Sequence, residues 1–215
     1  MEISNRQIIN YRLKTHHLDQ RLPLTELVTA VSACGVQNSP PGSWETAMFN
    51  RLEDCTEQAL SAALTESKTL LQAWSFRGAP IVFPSHESSI FLTALIPQGS
   101  ERPWIYTQGM TGILDLLDLP FEDLLRRQVE AIGYLDDNVV KNKNNLERLL
   151  ADLIYPDLPP DRQKIWLEPS GFNKLVRKTV GQTAVSFLLR PCSYMSLVVF
   201  GARTGVNPTF TSFRN

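Results

Sequence analysis

The sequence predicts a mainly α protein built twice on one plan, in which short helices are followed by a two-stranded β ribbon. Apolar residues recur at helical spacing along most of the chain, and β-type segments separated by tight turns appear only around residues 71–83 and 196–213. Helices followed by such a ribbon have the order of a winged helix. We therefore predict tandem winged-helix domains with short β wings: a first domain over residues 1–97, a connector over 98–110 and a second domain over 111–215.

The first half contains the clearest helical signal, over residues 23–35. This segment has a proline near its start and Gly35 just past its end, and its apolar positions follow helical spacing: Leu24, Leu27, Val28, Val31 and Cys34. Ser43 is predicted to cap a second helix, Asp54 or Thr56 to open a third, and Ser67 to open a short fourth. Trp44 and Trp74 lie on apolar faces and are predicted to belong to the core.

The ribbon of the first half covers residues 71–83, with a turn at 78–80. A further helix is predicted after Ser85, and residues 98–103 have the composition of a connector. The second half repeats the plan with helices predicted at 112–117, 121–132, 145–154, 161–166, 173–180 and 182–189, the last one ending at Pro191. Residues 196–200 and 209–213 are predicted to form the second ribbon.

The composition is that of a globular protein, with 43% hydrophobic and 20% charged residues. No apolar run approaches the roughly 20 residues of a membrane helix. The first residues lack the basic-then-apolar order of a secretory signal. We therefore expect a cytoplasmic protein with no membrane partner.

The charge is unevenly distributed although the formal net charge is only -1. Residues 1–125 contain 8 Lys and Arg against 14 Asp and Glu, and residues 126–215 contain 13 against 8. No acidic residue follows Glu168, whereas six basic residues do: Lys174, Arg177, Lys178, Arg190, Arg203 and Arg214. This basic segment either faces the phosphates of a nucleic acid or is neutralised by acidic residues of the first half.

Neither a disulfide framework nor a metal site is predicted. Cys34, Cys55 and Cys192 are odd in number and far apart, and no Cys-x-x-Cys pair occurs. The three histidines add no metal-ligand spacing.

Two segments suggest a more specific function. Residues 33–41 read Ala-Cys-Gly-Val-Gln-Asn-Ser-Pro-Pro, which places Gln37 directly after a helix that ends in glycine. Residues 74–80 read Trp-Ser-Phe-Arg-Gly-Ala-Pro, which places Arg77 at a turn between strands. Together these segments resemble the AlkZ-like winged-helix DNA glycosylases, in which Gly-apolar-Gln-x-Gln/Asp is followed downstream by Trp-x-x-Arg-Gly-Thr/Ala.

The resemblance implies a monofunctional enzyme that binds duplex DNA and removes alkylated purines without a metal or an organic cofactor. Gln37 would then orient the attacking water, and Ser39 would occupy the second catalytic position, where the family has Gln or Asp. Glu45, on the following helix, is a conceivable substitute base. Such an enzyme must chiefly stabilise a positively charged sugar and hold a water beside it.

The predicted DNA contacts are basic residues of both halves: Arg77, Lys174, Arg177, Lys178 and Arg203. Residues 174, 177 and 178 have the spacing of one helix face if the predicted helix over 173–180 forms. Arg77 has an alternative interpretation as a buried structural arginine that pairs with Glu66 or Asp54.

Two other functional hypotheses remain open. A chain with Ser39 in place of Gln or Asp could be a non-enzymatic winged-helix regulator or interaction scaffold. Family members are usually longer, with a third winged helix and a β-rich C-terminal region, so the chain could also be a fragment of an active glycosylase.

Overall fold

A computed structural model describes residues 3–32, 34–98, 109–171 and 177–214. The described chain is mainly helical with a small antiparallel sheet. The helices are α1 (Asn5–Thr15), α2 (Leu27–Ser32), α3 (Ser43–Arg51), α4 (Glu57–Thr65), α5 (Ser88–Phe91), α6 (Thr111–Leu117), α7 (Phe121–Ile132), α8 (Lys143–Ile154), α9 (Pro160–Leu167) and α10 (Val180–Tyr194). The strands are β1 (Val36–Gln37), β2 (Leu70–Trp74), β3 (Pro80–Pro84), β4 (Val140–Lys141), β5 (Val199–Thr204) and β6 (Asn207–Thr211).

The chain leaves α2 at Gly35, as the sequence predicts. Gly35 has a φ of +66°, and its N–H donates to the carbonyl of Val31 at 3.1 Å. Glycine is favoured here because a side chain is strained at positive φ. This turn directs the chain straight into β1.

Helix starts are predicted less well than helix positions. Thr56 caps α4 by accepting from the N–H of Ala59 at 3.1 Å, but Ser43 is the first residue of α3 and not its cap. The prediction of a short helix from Ser67 is wrong, because Leu70 begins β2 opposite Pro84 and is fully buried. A helix of one turn is unstable alone, and the neighbouring strand decides the conformation.

All six strands form one antiparallel sheet in the order β1-β3-β2-β5-β6-β4. The β2–β3 and β5–β6 ribbons lie in the two regions where the sequence predicts a ribbon. They meet at one residue pair, Gln72 opposite Phe200. The sequence does not indicate this junction, which places residues of the two halves side by side.

The described residues form three core clusters. One lies among α2, α3 and α4 and includes Trp44; a larger one lies among α6 to α10 and includes Trp74 and Trp166; a smaller one packs α5 against the sheet. Trp44 and Trp74 are 1% and 4% exposed, so their predicted place in the core is confirmed.

Helix α10 differs from the prediction at both ends. It passes through Pro191 and ends at Tyr194. The N–H of Met195 donates to the carbonyl of Pro191, so the helical hydrogen bonding continues beyond the proline. The predicted helix over 173–180 is wrong for Arg177 and Lys178, while Lys174 lies outside the described residues. Thr179 forms a capping box at the start of α10, and the carbonyl of Lys178 accepts from Ser170 at 2.9 Å, so this segment is extended.

Candidate functional site

Residues 35–39, called the motif segment below, contain Gln37 and Ser39. They include the edge strand β1, which pairs with β3. Val36 lies opposite Val82, Gln37 lies opposite Ile81, and the N–H of Asn38 donates to the carbonyl of Pro80 at 2.9 Å. Because side chains alternate along a strand, Gln37 shares a sheet face with Ile81, and Val36 points to the other face. Gln37 is exposed, and its Nε2 lies 3.5 Å from the carbonyl oxygen of Ser39.

Ser39 is also exposed, and Asn38 between them is buried. The Asn38 side chain is held at both ends: Nδ2 donates to Oε1 of Gln72 at 3.2 Å, and Oδ1 accepts from the N–H of Gly42 at 2.8 Å. A buried amide is stable only when its polar atoms are paired. Asn38 therefore fixes the motif segment to β2 and to the start of α3.

Arg77 lies in the turn that joins β2 to β3. It has a φ of +59°, and the turn is closed by the N–H of Gly78 donating to Ser75 at 2.9 Å. Arg77 is exposed, so its interpretation as a buried arginine paired with Glu66 or Asp54 is wrong. Because Asn38 pairs with Pro80, the motif segment and this turn lie at the same end of the sheet.

Arg190 of α10 packs against this turn from the second half. Its Nε donates to the carbonyl of Gly78 at 3.3 Å, and its Nη1 donates to that of Ser186 at 3.1 Å. A Cβ on Gly78 would lie 2.7 Å from Nε of Arg190, so a side chain at this position would displace the arginine from the turn. The Trp-x-x-Arg-Gly segment thus serves as a contact between the two halves.

A basic cluster, defined here as Lys143, Lys178 and Arg190, lies near the buried carboxylate of Glu147, which Lys143 and Lys178 contact directly. Lys143 Nζ lies 3.3 Å from Oε1 of Glu147 and 2.9 Å from Oγ of Ser186, and Lys178 pairs with Oε2 of Glu147. Burial lowers the pKa of Lys143, Glu147 opposes that shift, and the charges of Arg190 and Lys178 add to it. Three cations near one carboxylate leave local positive charge beside the turn.

Arg203 lies in β5 and has a partner from the first half. Its Nε and Nη2 both bond to Oε1 of Glu45 in α3, with the Nε distance at 3.1 Å. The hypothesis that acidic residues of the first half neutralise the basic segment therefore holds for Arg203. Lys178 also has a carboxylate partner, but from the second half.

The Glu45–Arg203 pair lies at a cavity of about 720 Å³ between α3, α4 and the β5–β6 ribbon. The lining includes Asn38 and Ser39 of the motif segment, Gln72 of β2 and Phe200 of β5. Gln72 lies opposite Val82 on the sheet face away from Gln37. Gln37 and the cavity therefore lie on opposite faces of the sheet.

The structure thus brings together only some of the predicted site residues. Gln37, Ser39 and Arg77 lie at one end of the sheet. Lys178 pairs with Glu147 of α8 instead, and Arg203 lines the cavity together with Ser39. The contacts of Lys143, Glu147 and Gln72 were not predicted from the sequence. Lys143 and Glu147 are four residues apart, so their ion pair could have been predicted from helical spacing. No local pattern predicts the contact of Gln72 with Asn38, because the two residues are far apart in the sequence.

Within residues 3–32, 34–98, 109–171 and 177–214, no three His, Cys, Asp or Glu side chains gather as a metal site would require. No described helix has the length and apolar character needed to cross a membrane.

Residues 31–132 match the model of the family described as DNA glycosylase AlkZ-like. This range contains Gln37, Ser39 and Arg77, and it confirms the resemblance noted from the sequence. A search of curated proteins found no match.

The solved structure of Streptomyces sahachiroi DNA glycosylase AlkZ is similar to this chain, with a TM-score of 0.62 and 20% sequence identity. The match covers 99% of this chain and 50% of that chain, so this chain spans half the length of that protein. At this identity the likeness shows a shared fold.

Proposed function

We propose that this chain is a tandem winged-helix protein that binds duplex DNA and that resembles AlkZ-like glycosylases in its chemistry, acting on alkylated purines. The observation that carries the proposal is the family match over residues 31–132, because that range contains the segment with Gln37 and the turn with Arg77. The exposure of both residues at one end of the sheet supports it.

DNA binding is supported by the positive charge beside this end of the sheet. Arg77 is exposed at the β2–β3 turn, Arg190 packs on the same turn, and Arg177 is exposed in the segment that precedes α10. Phosphate contacts by such residues release counterions, which makes affinity fall steeply with salt. The DNA backbone would then pass over the β2–β3 turn, close to Gln37.

The test of binding is fluorescence anisotropy with duplex DNA over a range of salt concentrations. The double variant Arg77→Ala and Arg177→Ala should weaken binding and reduce the slope of log K against log salt by about 2, since each lost phosphate contact reduces it by about 0.9. Arg126→Ala is the matched control, because Arg126 is an exposed arginine that pairs with Asp123 and Glu130 on α7. An unchanged slope in the double variant would contradict this interface.

The catalytic proposal assigns Gln37 to orienting the water and Ser39 to a single hydrogen bond. The hydroxyl of Ser39 is short and uncharged, so it stabilises a cationic sugar less than a carboxylate would. Release of N7-methylguanine from alkylated duplex DNA should therefore be slow in the natural chain. Ser39→Asp should raise the rate, and adding Gln37→Ala should abolish the gain.

DNA affinity measured in parallel separates binding from chemistry. Both variants should retain affinity, because neither residue belongs to the proposed phosphate contacts. Full activity of the natural chain that does not change in Gln37→Ala would show that the catalytic residue has been assigned to the wrong position.

The alternative is a non-enzymatic winged-helix regulator or interaction scaffold, and the identity of residue 39 favours it. A fragment of a longer glycosylase is a third hypothesis, in keeping with a match over half of the AlkZ chain. DNA binding without release of N7-methylguanine, both in the natural chain and in Ser39→Asp, would favour the regulator. Activity restored by adding the missing part of a longer protein would favour the fragment.

A further inference from the structure

Helix α1 differs from the other described helices of eight or more residues, because all of its residues are exposed. The sequence nevertheless specifies a helix here. Ser4 and Gln7 form a capping box, in which the N–H of Gln7 donates to Oγ of Ser4 at 3.3 Å and the N–H of Ser4 donates to Oε1 of Gln7 at 2.9 Å. A helix of 11 residues is marginal in water without tertiary packing. It therefore needs a packing partner that the described residues do not supply.

One side of α1 is apolar. Ile8, Ile9 and Leu13 lie on the same side of the helix, and Tyr11 lies at its edge. Their exposed fractions are 41%, 56%, 39% and 71% in the order Ile8, Ile9, Leu13 and Tyr11. Single exposed apolar side chains are common, but a group of them marks an interaction site. A phosphate backbone offers no apolar surface, so this side of α1 fits a protein partner.

The same helix is basic. It contains Arg6, Arg12 and Lys14 and no acidic residue. In the part of the chain that the structure describes, none of these three cations forms an ion pair. The surface that receives α1 is therefore expected to combine apolar side chains with carboxylates.

This chain carries such a surface where α3 leads into α4. The acidic turn, defined here as Glu53, Asp54 and Glu57, is exposed. Its three carboxylates have no ion pair with any described residue. Phe49, four residues before Glu53, is 37% exposed. The acidic turn and Phe49 thus match α1 in both charge and apolar character.

The acidic turn lies beside the C-terminal end of α1 in the same chain. Nε of Arg51 donates to the carbonyl of His16 at 3.0 Å, and the N–H of Glu53 donates to the carbonyl of Leu22 at 2.8 Å. A two-fold axis near this junction places α1 of each copy on the acidic turn of the other, so the two contacts are identical and the assembly closes. Packing one α1 against another would instead bring like charges together.

We propose that this chain forms a two-fold dimer in which α1 of each copy docks on the acidic turn and Phe49 of the other copy. The apolar side of α1 covers the ring of Phe49, and the three cations of α1 pair with the three carboxylates. This interface goes beyond the proposed function, because it uses neither Gln37 nor any of the proposed DNA contacts.

The first test is sedimentation equilibrium of the full chain, without DNA, over a range of protein concentrations. The mass should rise toward twice that of the monomer as the concentration increases. A mass that stays monomeric up to the solubility limit would overturn the proposal, also if α1 then proves to bind DNA or a different acidic protein. This measurement needs no variant, so a folding defect cannot confuse it.

Two charge-reversal variants then test which surfaces meet. The helix variant carries Arg6→Glu and Arg12→Glu, and the turn variant carries Glu53→Lys and Asp54→Lys. Each should weaken the dimer about tenfold or more, because like charges face each other in both contacts. The two variants mixed in equal amounts should form a heterodimer, since both of its contacts join opposite charges again.

The matched control carries Arg148→Glu and Lys164→Glu, which change the net charge as much as the helix variant does, at exposed positions of α8 and α9. It should dimerise like the natural chain. A dimer that neither reversal weakens, or two folded variants that stay monomeric when mixed, would overturn the proposal; circular dichroism monitors folding. Failure of the dimer leaves the proposed function standing, because that function is tested separately through Arg77 and Gln37.

Discussion

Gly35→Ala should destabilise the protein far more than the loss of a helix-ending glycine alone. A Cβ added to Gly35 would lie 2.5 Å from Cγ2 of Ile81, 2.9 Å from Cε1 of Phe91 and 3.0 Å from the carbonyl oxygen of Val82. The residue also has a φ of +66°, where a side chain is strained by about 1–2 kcal/mol. Crowding in a packed core adds about 1–3 kcal/mol.

The expected loss of stability is therefore about 2–5 kcal/mol. For a chain of this length, 1 kcal/mol lowers Tm by about 2–4 °C, so the melting temperature should fall by roughly 4–20 °C. Thermal unfolding followed by circular dichroism measures this shift directly.

Gly205→Ala is the matched control for strain without crowding. Gly205 has a φ of +59°, and no heavy atom lies within 4 Å of its built Cβ. Its substitution should cost only about 1–2 kcal/mol. Equal melting temperatures for the two variants would refute the claim that Ile81 and Phe91 fix the path of the chain at Gly35.

Two further predictions test the packing of the second half and the accessibility of the thiols. Gly181→Ala should destabilise severely, by several kcal/mol, because the built Cβ lies 2.2 Å from the Trp166 ring; a melting temperature near that of the natural chain would show that the indole moves freely. Burial raises the pKa of the Cys192 thiol well above its ordinary value. Cys192 should therefore resist a thiolate-directed reagent even in mildly alkaline buffer, whereas the exposed Cys34 should react. Mass spectrometry before and after denaturation distinguishes the two sites.

Local sequence signals predicted those parts of the fold that depend on neighbouring residues. Gly35 ends its helix because the requirement for positive φ belongs to the residue itself. Trp44 and Trp74 were placed in the core because both lie in locally apolar segments. Signals of this kind failed where a distant segment competes, as at Leu70, which the pairing with Pro84 draws into a strand.

The candidate site was predicted in part for the same reason. The exposed position of Gln37 and the turn at Arg77 follow from short segments, and the resemblance to the AlkZ-like family rests on those segments. The charged partners did not follow. Lys178 was predicted to lie on a free basic helix face, whereas it belongs to an extended segment and pairs with Glu147.

The sequence by itself determined a mainly helical chain with two short ribbons, the glycine at which the first half turns into β1, and the segments that resemble a family of DNA glycosylases. Only the tertiary structure decided that the two ribbons join in one sheet at Gln72 and Phe200, that Arg190 packs on the turn next to Arg77, and that Glu45 and Arg203 meet across a cavity. The physical reason is the range of the interactions. Spacing and turn propensity act over a few residues, whereas the partner of a buried charge lies up to 158 residues away and is chosen by packing.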